Sequence, residues 1–138
     1  MISSVVNRNP GQRLAFIQEA NPERLAECLV AFANSDGGTI VVGVDDDGLP
    51  VEGIWEEEVE SALRLAAGLC RPPVPSSWHA MEKADGVIVG IEVNRGRELH
   101  SLVDGRVLIR SGRDNRVLDG LEIGRLSASK SSPDYETE

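Results

Sequence analysis

The sequence has little cysteine, few aromatic side chains and no long apolar run. The two cysteines, Cys28 and Cys70, are too few for a disulfide framework or a zinc site, which is typical of a reduced, cytoplasmic protein. Aromatic residues make up 4% of the chain, so a base-stacking surface of the kind used by single-strand binders would be thin. No apolar segment approaches the ~20 residues of a membrane span. The first residues also lack the basic and apolar regions of a secretory signal.

Positive charge is also scarce, and it is unevenly distributed. The chain carries 14 Lys and Arg against 23 Asp and Glu, a net charge of −9. This balance argues against nucleic-acid binding by the molecule as a whole, because such affinity comes largely from neutralising phosphates. Residues 17–60 hold twelve acids and one base, Arg24, whereas residues 94–116 hold only three acids. The latter segment contains the six arginines Arg95, Arg97, Arg106, Arg110, Arg113 and Arg116.

The length of 138 residues suits one domain, and the hydrophobic patterns predict an α+β fold with a mixed sheet and two main helices packed on it. Asn21 caps the first helix and Pro22 occupies its first turn, while Asp119 and Glu122 form a capping box for a short last helix ending near Leu126. We expect an N-terminal arm at 1–11, the domain at 12–126 and a polar, disordered tail or linker at 127–138. The predicted strands are 14–17, 39–44, 49–54, 77–81, 87–93, 99–103 and 107–110, and the main helices are 22–34 and 56–70.

A dense motif follows the first helix. The segment 31–48 reads AFANSDGGTIVVGVDDDG. It resembles the Schlafen AlbA-type domain, which shows F-A-N-x-x-G-G, a hydrophobic strand and G-V-x-D-x-G, and the resemblance covers residues 12–126. The matching motif positions are Asn34, Gly37, Gly38, Gly43, Asp46 and Gly48.

These motif residues also have structural interpretations. Gly37 and Gly38 would turn the chain tightly from helix to strand, since glycine adopts positive φ without strain. We expect Asn34 to bond backbone amides near the helix end, and Gly43 to leave room for a helix against the sheet. Asp45 to Gly48 would close a hairpin.

The resemblance implies nucleic-acid binding in one set of family members, often at the head of transcriptional regulators, and RNA cleavage in another. The cleaving members hold a divalent metal with carboxylates, two of them in a leading E-x-x-x-x-E-F-K element. In this sequence the two glutamates of that element fall on Pro10 and Ala15 and its lysine falls on Ile17, so only the acidic turn 45–47 remains. We therefore expect no catalytic residues, no metal and no cofactor, with a metal-dependent ribonuclease as the less favoured alternative.

The arginine-rich segment is the predicted binding surface. Arg106 and Arg110 are four residues apart on a predicted strand and would share one face, and Arg113 and Arg116 would lie in the loop that follows. Guanidinium groups present planar donor forks to phosphate, so we expect these four, with Arg95 and Arg97, to contact a nucleic-acid backbone.

DNA is favoured over RNA, and a transcription-regulator type of protein is the predicted context. Because cleaving family members pair two similar lobes in one chain, the resemblance implies a homodimer. The competing interpretation is an interaction or oligomerisation module, in which these arginines meet the acidic segment 45–60 of another subunit.

Overall fold

The structure is a computed structural model, and it describes residues 9–131. These residues form three helices and eight strands. In chain order they are β1 (Leu14–Ile17), α1 (Pro22–Ala33), β2 (Gly38–Val42), α2 (Glu56–Gly68), β3 (Cys70–Arg71), β4 (Ser76–Lys83), β5 (Gly86–Val93), β6 (Ser101–Leu102), β7 (Leu108–Ser111), β8 (Asp114–Val117) and α3 (Gly120–Lys130). Most of the predicted N-terminal arm and tail lies outside the described residues.

The main sheet is mixed and has the strand order β1-β2-β5-β4. β1 runs parallel to β2, while β2 and β4 each pair antiparallel with β5. Two small antiparallel sheets, β3–β6 and β7–β8, complete the fold. The predicted α+β class with a mixed sheet is confirmed, and no helix among residues 9–131 is long and apolar enough to cross a membrane.

The larger hydrophobic core lies between the main sheet and the two helices α1 and α2. Phe32, Leu25 and Leu29 of α1 are fully buried against the sheet residues Ile40 and Ile91. A second, smaller cluster occupies the opposite face of the sheet. Its members are Leu14, Phe16, Val41, Val44 and Ile88.

The predicted ends of α1 are confirmed by its capping contacts. The Asn21 carboxamide oxygen accepts the backbone N–H groups of Glu23 and Arg24, at 2.9 and 3.1 Å, which satisfies two amides left unpaired in a first helical turn. After the helix, Gly37 has a φ of +74°, and a Cβ built there would lie 2.7 Å from the carbonyl oxygen of Val93. Only glycine fits this turn without displacing β5.

Helix α3 begins as predicted but is longer than predicted. Asp119 accepts the N–H of Glu122 at 2.8 Å, and the Glu122 carboxylate accepts the N–H of Asp119 at 3.0 Å. The helix continues past Leu126 to Lys130, whose Nζ donates to the carbonyl oxygens of Ala33 and Gly96. These contacts with distant segments hold the last turn, and the local sequence does not reveal them.

Three predictions of strands and helix ends are wrong. The return strand 49–54 is reduced to one bridge between Val44 and Pro50, because the N–H of Gly53 bonds the Asp85 carbonyl in the β4–β5 turn. Helix α2 ends at Gly68 rather than at residue 70. The predicted hairpin of 99–103 with 107–110 forms only a local turn, since β6 pairs with β3, and β7 pairs with β8.

Candidate nucleic-acid interface

The β7–β8 hairpin packs across α1 and places its turn beside the segment that precedes β1. Gln12 fastens the two together: its side-chain amide donates to the Arg110 carbonyl at 2.9 Å and accepts the N–H of Gly112 at 2.9 Å. Behind the turn, the N–H of Arg110 donates to the Ser35 hydroxyl at 2.8 Å. The hairpin is therefore held at both its base and its tip.

Arg110 points into the protein and is only 5% exposed. Its guanidinium donates to the carbonyl oxygens of Gly11 and Leu14, at 3.0 and 2.8 Å, and to the Asn115 side chain at 2.9 Å. It also lies 5.2 Å from the centre of the Phe32 ring, a cation–π contact. Burial lowers the pKa of this arginine. These contacts within the chain engage all three guanidinium nitrogens, so Arg110 acts as a structural support of the cleft described below.

Two other predicted arginines are engaged by carboxylates of the same chain. Arg106 bonds Glu27 at 3.0 Å and Asp104 at 2.9 Å, and Arg116 bonds Glu122 at 2.9 Å. Arg106 precedes β7 rather than lying on it, and Arg116 lies on β8 rather than in the predicted loop, because residues 114–117 pair with β7. The expectation that Arg106 and Arg110 share one face of a strand is therefore wrong, because the chain enters β7 only after the turn that follows β6.

Arg113, in the hairpin turn, is exposed and borders a cleft of about 330 Å³. Arg24, in the first turn of α1, borders the same cleft. In the described part of the chain neither arginine has a carboxylate within 4.0 Å. The cleft is lined by Pro10, Ala15, Phe16, Arg24, Glu27, Cys28, Asp46, Arg110, Arg113, Asp114 and Asn115.

Sequence reasoning missed Arg24 because it lies in the acidic segment 17–60. Its position in the first turn of a capped helix was readable from the sequence, but its proximity to a hairpin some ninety residues later was not. Three arginines and three carboxylates thus line the cleft, and one of the carboxylates, Glu27, is bonded to Arg106. The cleft is locally close to neutral, whereas the whole chain carries −9.

Arg95 and Arg97 lie in the exposed loop after β5 and do not border this cleft. Arg95 borders a different cleft, together with Arg13 and Asp36. The six predicted arginines are therefore distributed over separate surroundings rather than gathered on one surface.

Asn34 is buried and joins three segments of the chain. Its amide nitrogen donates to the carbonyl oxygens of His100 and Leu108, both at 2.9 Å, and its oxygen accepts the N–H of His100 at 2.9 Å. The expectation that it bonds amides near its own helix end is wrong, because its partners lie 66 and 74 residues away. This motif residue fixes the entry to the β7–β8 hairpin.

Two motif glycines make room for neighbouring backbone, and Gly38 also makes room for the Phe32 side chain of α1. A Cβ on Gly43, whose φ is +105°, would lie 2.8 Å from the Val87 carbonyl oxygen, so this residue admits the start of β5. The prediction that Gly43 leaves space for a helix is therefore wrong. A Cβ on Gly38 would lie 2.7 Å from the Arg13 carbonyl oxygen.

The acidic turn closes as predicted, and it presents one carboxylate to the cleft. Asp45 accepts the N–H groups of Asp47 and Leu49 on its side chain, both at 2.9 Å, and Gly48 completes the turn with a φ of +82°. Asp46 is exposed and borders the cleft.

Pro10 and Ala15, the positions on which the family resemblance places metal-binding glutamates, border the same cleft as Asp46. Neither provides a side-chain oxygen, whereas Mg²⁺ and Mn²⁺ prefer several oxygen ligands. Within 9–131, no group of three or more His, Cys, Asp or Glu side chains is arranged to hold a metal ion. The residues at these positions do not fit a divalent metal.

Comparisons with known proteins show which family this chain belongs to and which solved structures share its fold. A family model described as Schlafen, AlbA_2 matches residues 12–119. No curated protein matches. Nineteen chains of solved structures match, among them the DIP2311 protein from Corynebacterium diphtheriae, with a TM-score of 0.68 and 21% sequence identity. That alignment covers 89% of this chain and 28% of the other, so this chain spans little more than a quarter of that protein. The likeness shows a shared fold, and since the family model matches most of the sequence, this chain belongs to the Schlafen AlbA_2 family.

Proposed function

We propose that this domain binds nucleic acid through the phosphate backbone, without cleaving it, at the cleft between the β7–β8 hairpin and the first turn of α1. Membership in the AlbA_2 family supports a nucleic-acid-related function. The observation that carries the proposal is the position of Arg24 and Arg113, two arginines without an ion pair among residues 9–131 that border one cleft. Their guanidinium groups can each present a donor fork to a phosphate.

The distribution of charge supports contact at this cleft and makes the contact weak. The carboxylates of α2 and those of Asp46 and Asp47 are exposed and repel a polyanion, so a nucleic-acid strand can approach only where arginines interrupt that field. Two phosphate contacts give a salt dependence with a slope of about −2 in log K against log salt. Arg95 and Arg97, which do not border the cleft, contact the nucleic acid further along its backbone in this proposal, and each such contact makes the salt slope steeper by about 1.

For the location, the type of protein, the nucleic acid and the oligomeric state, we propose what the sequence analysis predicted. The domain is a cytoplasmic module of a transcription-regulator type of protein, it binds DNA in preference to RNA, and it works as a homodimer. No exposed helix of the described chain combines basic and amide side chains, as a recognition helix in the major groove would. Binding is therefore proposed to be independent of sequence.

The test compares two double variants of equal charge. Arg24→Glu with Arg113→Glu reverses both cleft arginines, whereas Arg64→Glu with Arg125→Glu reverses two exposed arginines of α2 and α3. Binding of duplex DNA and of single-stranded RNA is measured by fluorescence anisotropy at several salt concentrations. We expect the cleft variant to lose measurable binding, and the control to retain at least half of the wild-type affinity and the same salt slope.

Four results would contradict parts of this proposal. Equal loss in both variants would mean that only net charge matters, and no binding at low salt would remove the function altogether. A dimer that dissociates when the cleft arginines are reversed, without any binding of nucleic acid, would favour the interaction module. Cleavage of structured RNA in Mn²⁺ that disappears in Asp46→Ala would establish the ribonuclease instead.

A further inference from the structure

Strand β4 forms one complete edge of the main sheet. It pairs with β5 over eight consecutive residues, from Ser76 opposite Val93 to Lys83 opposite Gly86, with no interruption of the register. In the order β1-β2-β5-β4 it has no strand on its other side. Eight residues span about 27 Å, which is longer than most strands in globular proteins.

The outer side of β4 has unused backbone hydrogen-bonding groups. Within residues 9–131, its backbone bonds only to β5. In an antiparallel ladder every second residue directs its N–H and carbonyl away from the neighbouring strand. This edge therefore presents a continuous row of donors and acceptors to the solvent.

The strand lacks the features by which sheet edges are commonly protected from pairing. It contains no proline, no glycine and no bulge. Its one lysine, Lys83, turns back into the protein, where its Nζ donates to the Val51 carbonyl at 2.8 Å and to Asp85 at 2.6 Å. The edge is long, regular and open, which is the arrangement that accepts another strand.

We propose that β4 pairs antiparallel with β4 of a second copy of this chain and thereby builds a continuous eight-stranded sheet. The charges on the strand favour this occupant and this direction. Both charged residues, Glu82 and Lys83, lie at the same end of β4. Antiparallel pairing in a register centred on Ala80 sets Glu82 opposite Trp78 and Lys83 opposite Ser77 of the other copy, whereas parallel pairing would set like charges side by side.

Symmetry limits the possible registers. A two-fold axis perpendicular to the sheet keeps the helices of both copies on one side, so residues facing each other must belong to the same face of β4. A register centred on Ala80 meets this condition and sets His79 opposite Met81. Trp78 and Ala80 pack against the core of their own chain, so the hydrophobic core would run across the pairing.

The proposal does not depend on nucleic-acid binding, because the hairpin cleft lies at the β1 edge, at the opposite end of the sheet. The stability of a dimer paired through β4 also responds to salt differently from that of a dimer held by arginines and carboxylates. Each copy carries −9, so strand pairing works against a repulsion that salt screens. A dimer held by β4 becomes more stable as salt rises, whereas one held by ion pairs becomes less stable.

The first test blocks the edge with charge. In His79→Lys with Met81→Lys, two lysines of each copy meet at the proposed axis, and the control Leu49→Lys with Leu65→Lys adds the same charge at two exposed residues elsewhere. Mass in solution is measured by sedimentation velocity over a range of protein and salt concentrations. We expect the wild type and the control to reach twice 14.9 kDa and the edge variant to remain at the mass of one chain.

The second test does not depend on the lysine variant folding. Single substitutions His79→Cys, Ala80→Cys and Met81→Cys are oxidised separately, with Leu65→Cys on α2 as control, while the native Cys28 and Cys70 are buried and do not compete. Only a residue on the two-fold axis lies next to the same residue of the other copy. We therefore expect one of the three cysteine variants of β4 to give a disulfide-linked dimer and the control variant to give none. A wild type that stays monomeric at all concentrations would overturn the proposal. So would a dimer that survives the edge lysines or a scan in which no β4 position crosslinks.

Discussion

The two edges of the main sheet differ in what covers them. At one edge β1 has only four residues, all buried, and its Leu14 carbonyl accepts both the N–H of Gly11 at 2.9 Å and the guanidinium of Arg110 at 2.8 Å. At the other edge β4 has eight residues, most of them exposed or half-buried, and no comparable side chain covers it. One chain therefore completes its sheet at one end with a buried cation and leaves the other end open.

This contrast explains why an arginine count is a poor guide to a binding surface. Arg110 looked like a candidate for phosphate contact because it lies among six arginines in 23 residues, yet its hydrogen bonds all go to its own chain. We call β1, α1 and the β7–β8 hairpin the closed region. Within it, the guanidinium of Arg110 makes structural hydrogen bonds and is not available to a ligand. The cleft on that region depends on Arg113, which the count included, and on Arg24, which it did not.

The largest expected effect comes from truncating an aromatic side chain of the closed region. Phe16 of β1 is 7% exposed, whereas Met81 of β4 is 37% exposed. We expect Phe16→Ala to lower the free energy of unfolding by about 3–5 kcal/mol and Met81→Ala by about 1 kcal/mol or less. Urea unfolding at a concentration where the chain is monomeric measures both, and similar losses would remove the contrast between the edges.

The second largest effect is expected from removing the guanidinium of Arg110, which covers the β1 edge of the sheet. Arg110→Met keeps much of the side-chain volume but leaves the carbonyls of Gly11 and Leu14 without their guanidinium donor. We expect a loss of about 2–3 kcal/mol, because three charge-assisted hydrogen bonds of the guanidinium disappear, although the two carbonyls keep their backbone N–H donors. Arg106→Met, which removes only exposed ion pairs, should cost about 1 kcal/mol or less. Equal losses in urea unfolding would show that Arg110 is no more important than a surface arginine.

The smallest effect concerns a second buried cation, Lys130, the last residue of α3, whose Nζ donates to the Ala33 carbonyl at the C-terminal end of α1. Burial, and to a lesser extent the positive charge of Arg95, lowers the pKa of Lys130 to about 8. Between pH 8 and its ordinary value near 10.4, the unfolded chain binds more protons than the folded one, so this group makes the free energy of unfolding rise with pH.

Lys130→Met removes that contribution. The difference in unfolding free energy between wild type and variant should therefore shift in favour of the wild type as pH rises through this window. Burial raises the pKa of Cys70 to about 11, which acts in the opposite direction in both proteins and cancels in the difference. A difference independent of pH in urea unfolding would contradict the prediction.

The parts of the fold predicted correctly rest on signals within a few residues of each other. Asn21 caps its own helix, Gly37 turns the chain directly behind it, and Asp119 reaches only three residues to Glu122. Such contacts depend on backbone geometry that the local sequence dictates. The α+β class followed from the hydrophobic patterns, because most of the strands follow one another without a helix between them.

Most of the errors concern contacts between distant segments, whereas the early end of α2 and the missed strand β8 are local. Asn34 bonds residues 66 and 74 positions later, and β6 pairs with β3 rather than with the strand that follows it. Propensity and spacing carry no information about such partners. The candidate site was predicted only in part for the same reason: Arg113 was identified, but Arg24 joins it through packing that no local pattern expresses.

The guanidinium that completes the β1 edge has a consequence for biosynthesis. Arg110 follows its carbonyl partners Leu14 and Gly11 by 96 and 99 residues. Since the N-terminal part of a chain is synthesised first, β1 can pair with β2 long before its outer edge is completed. A nascent chain that has not reached residue 110 therefore has two unprotected sheet margins instead of one, and its period of greatest risk of aggregation ends when the hairpin emerges.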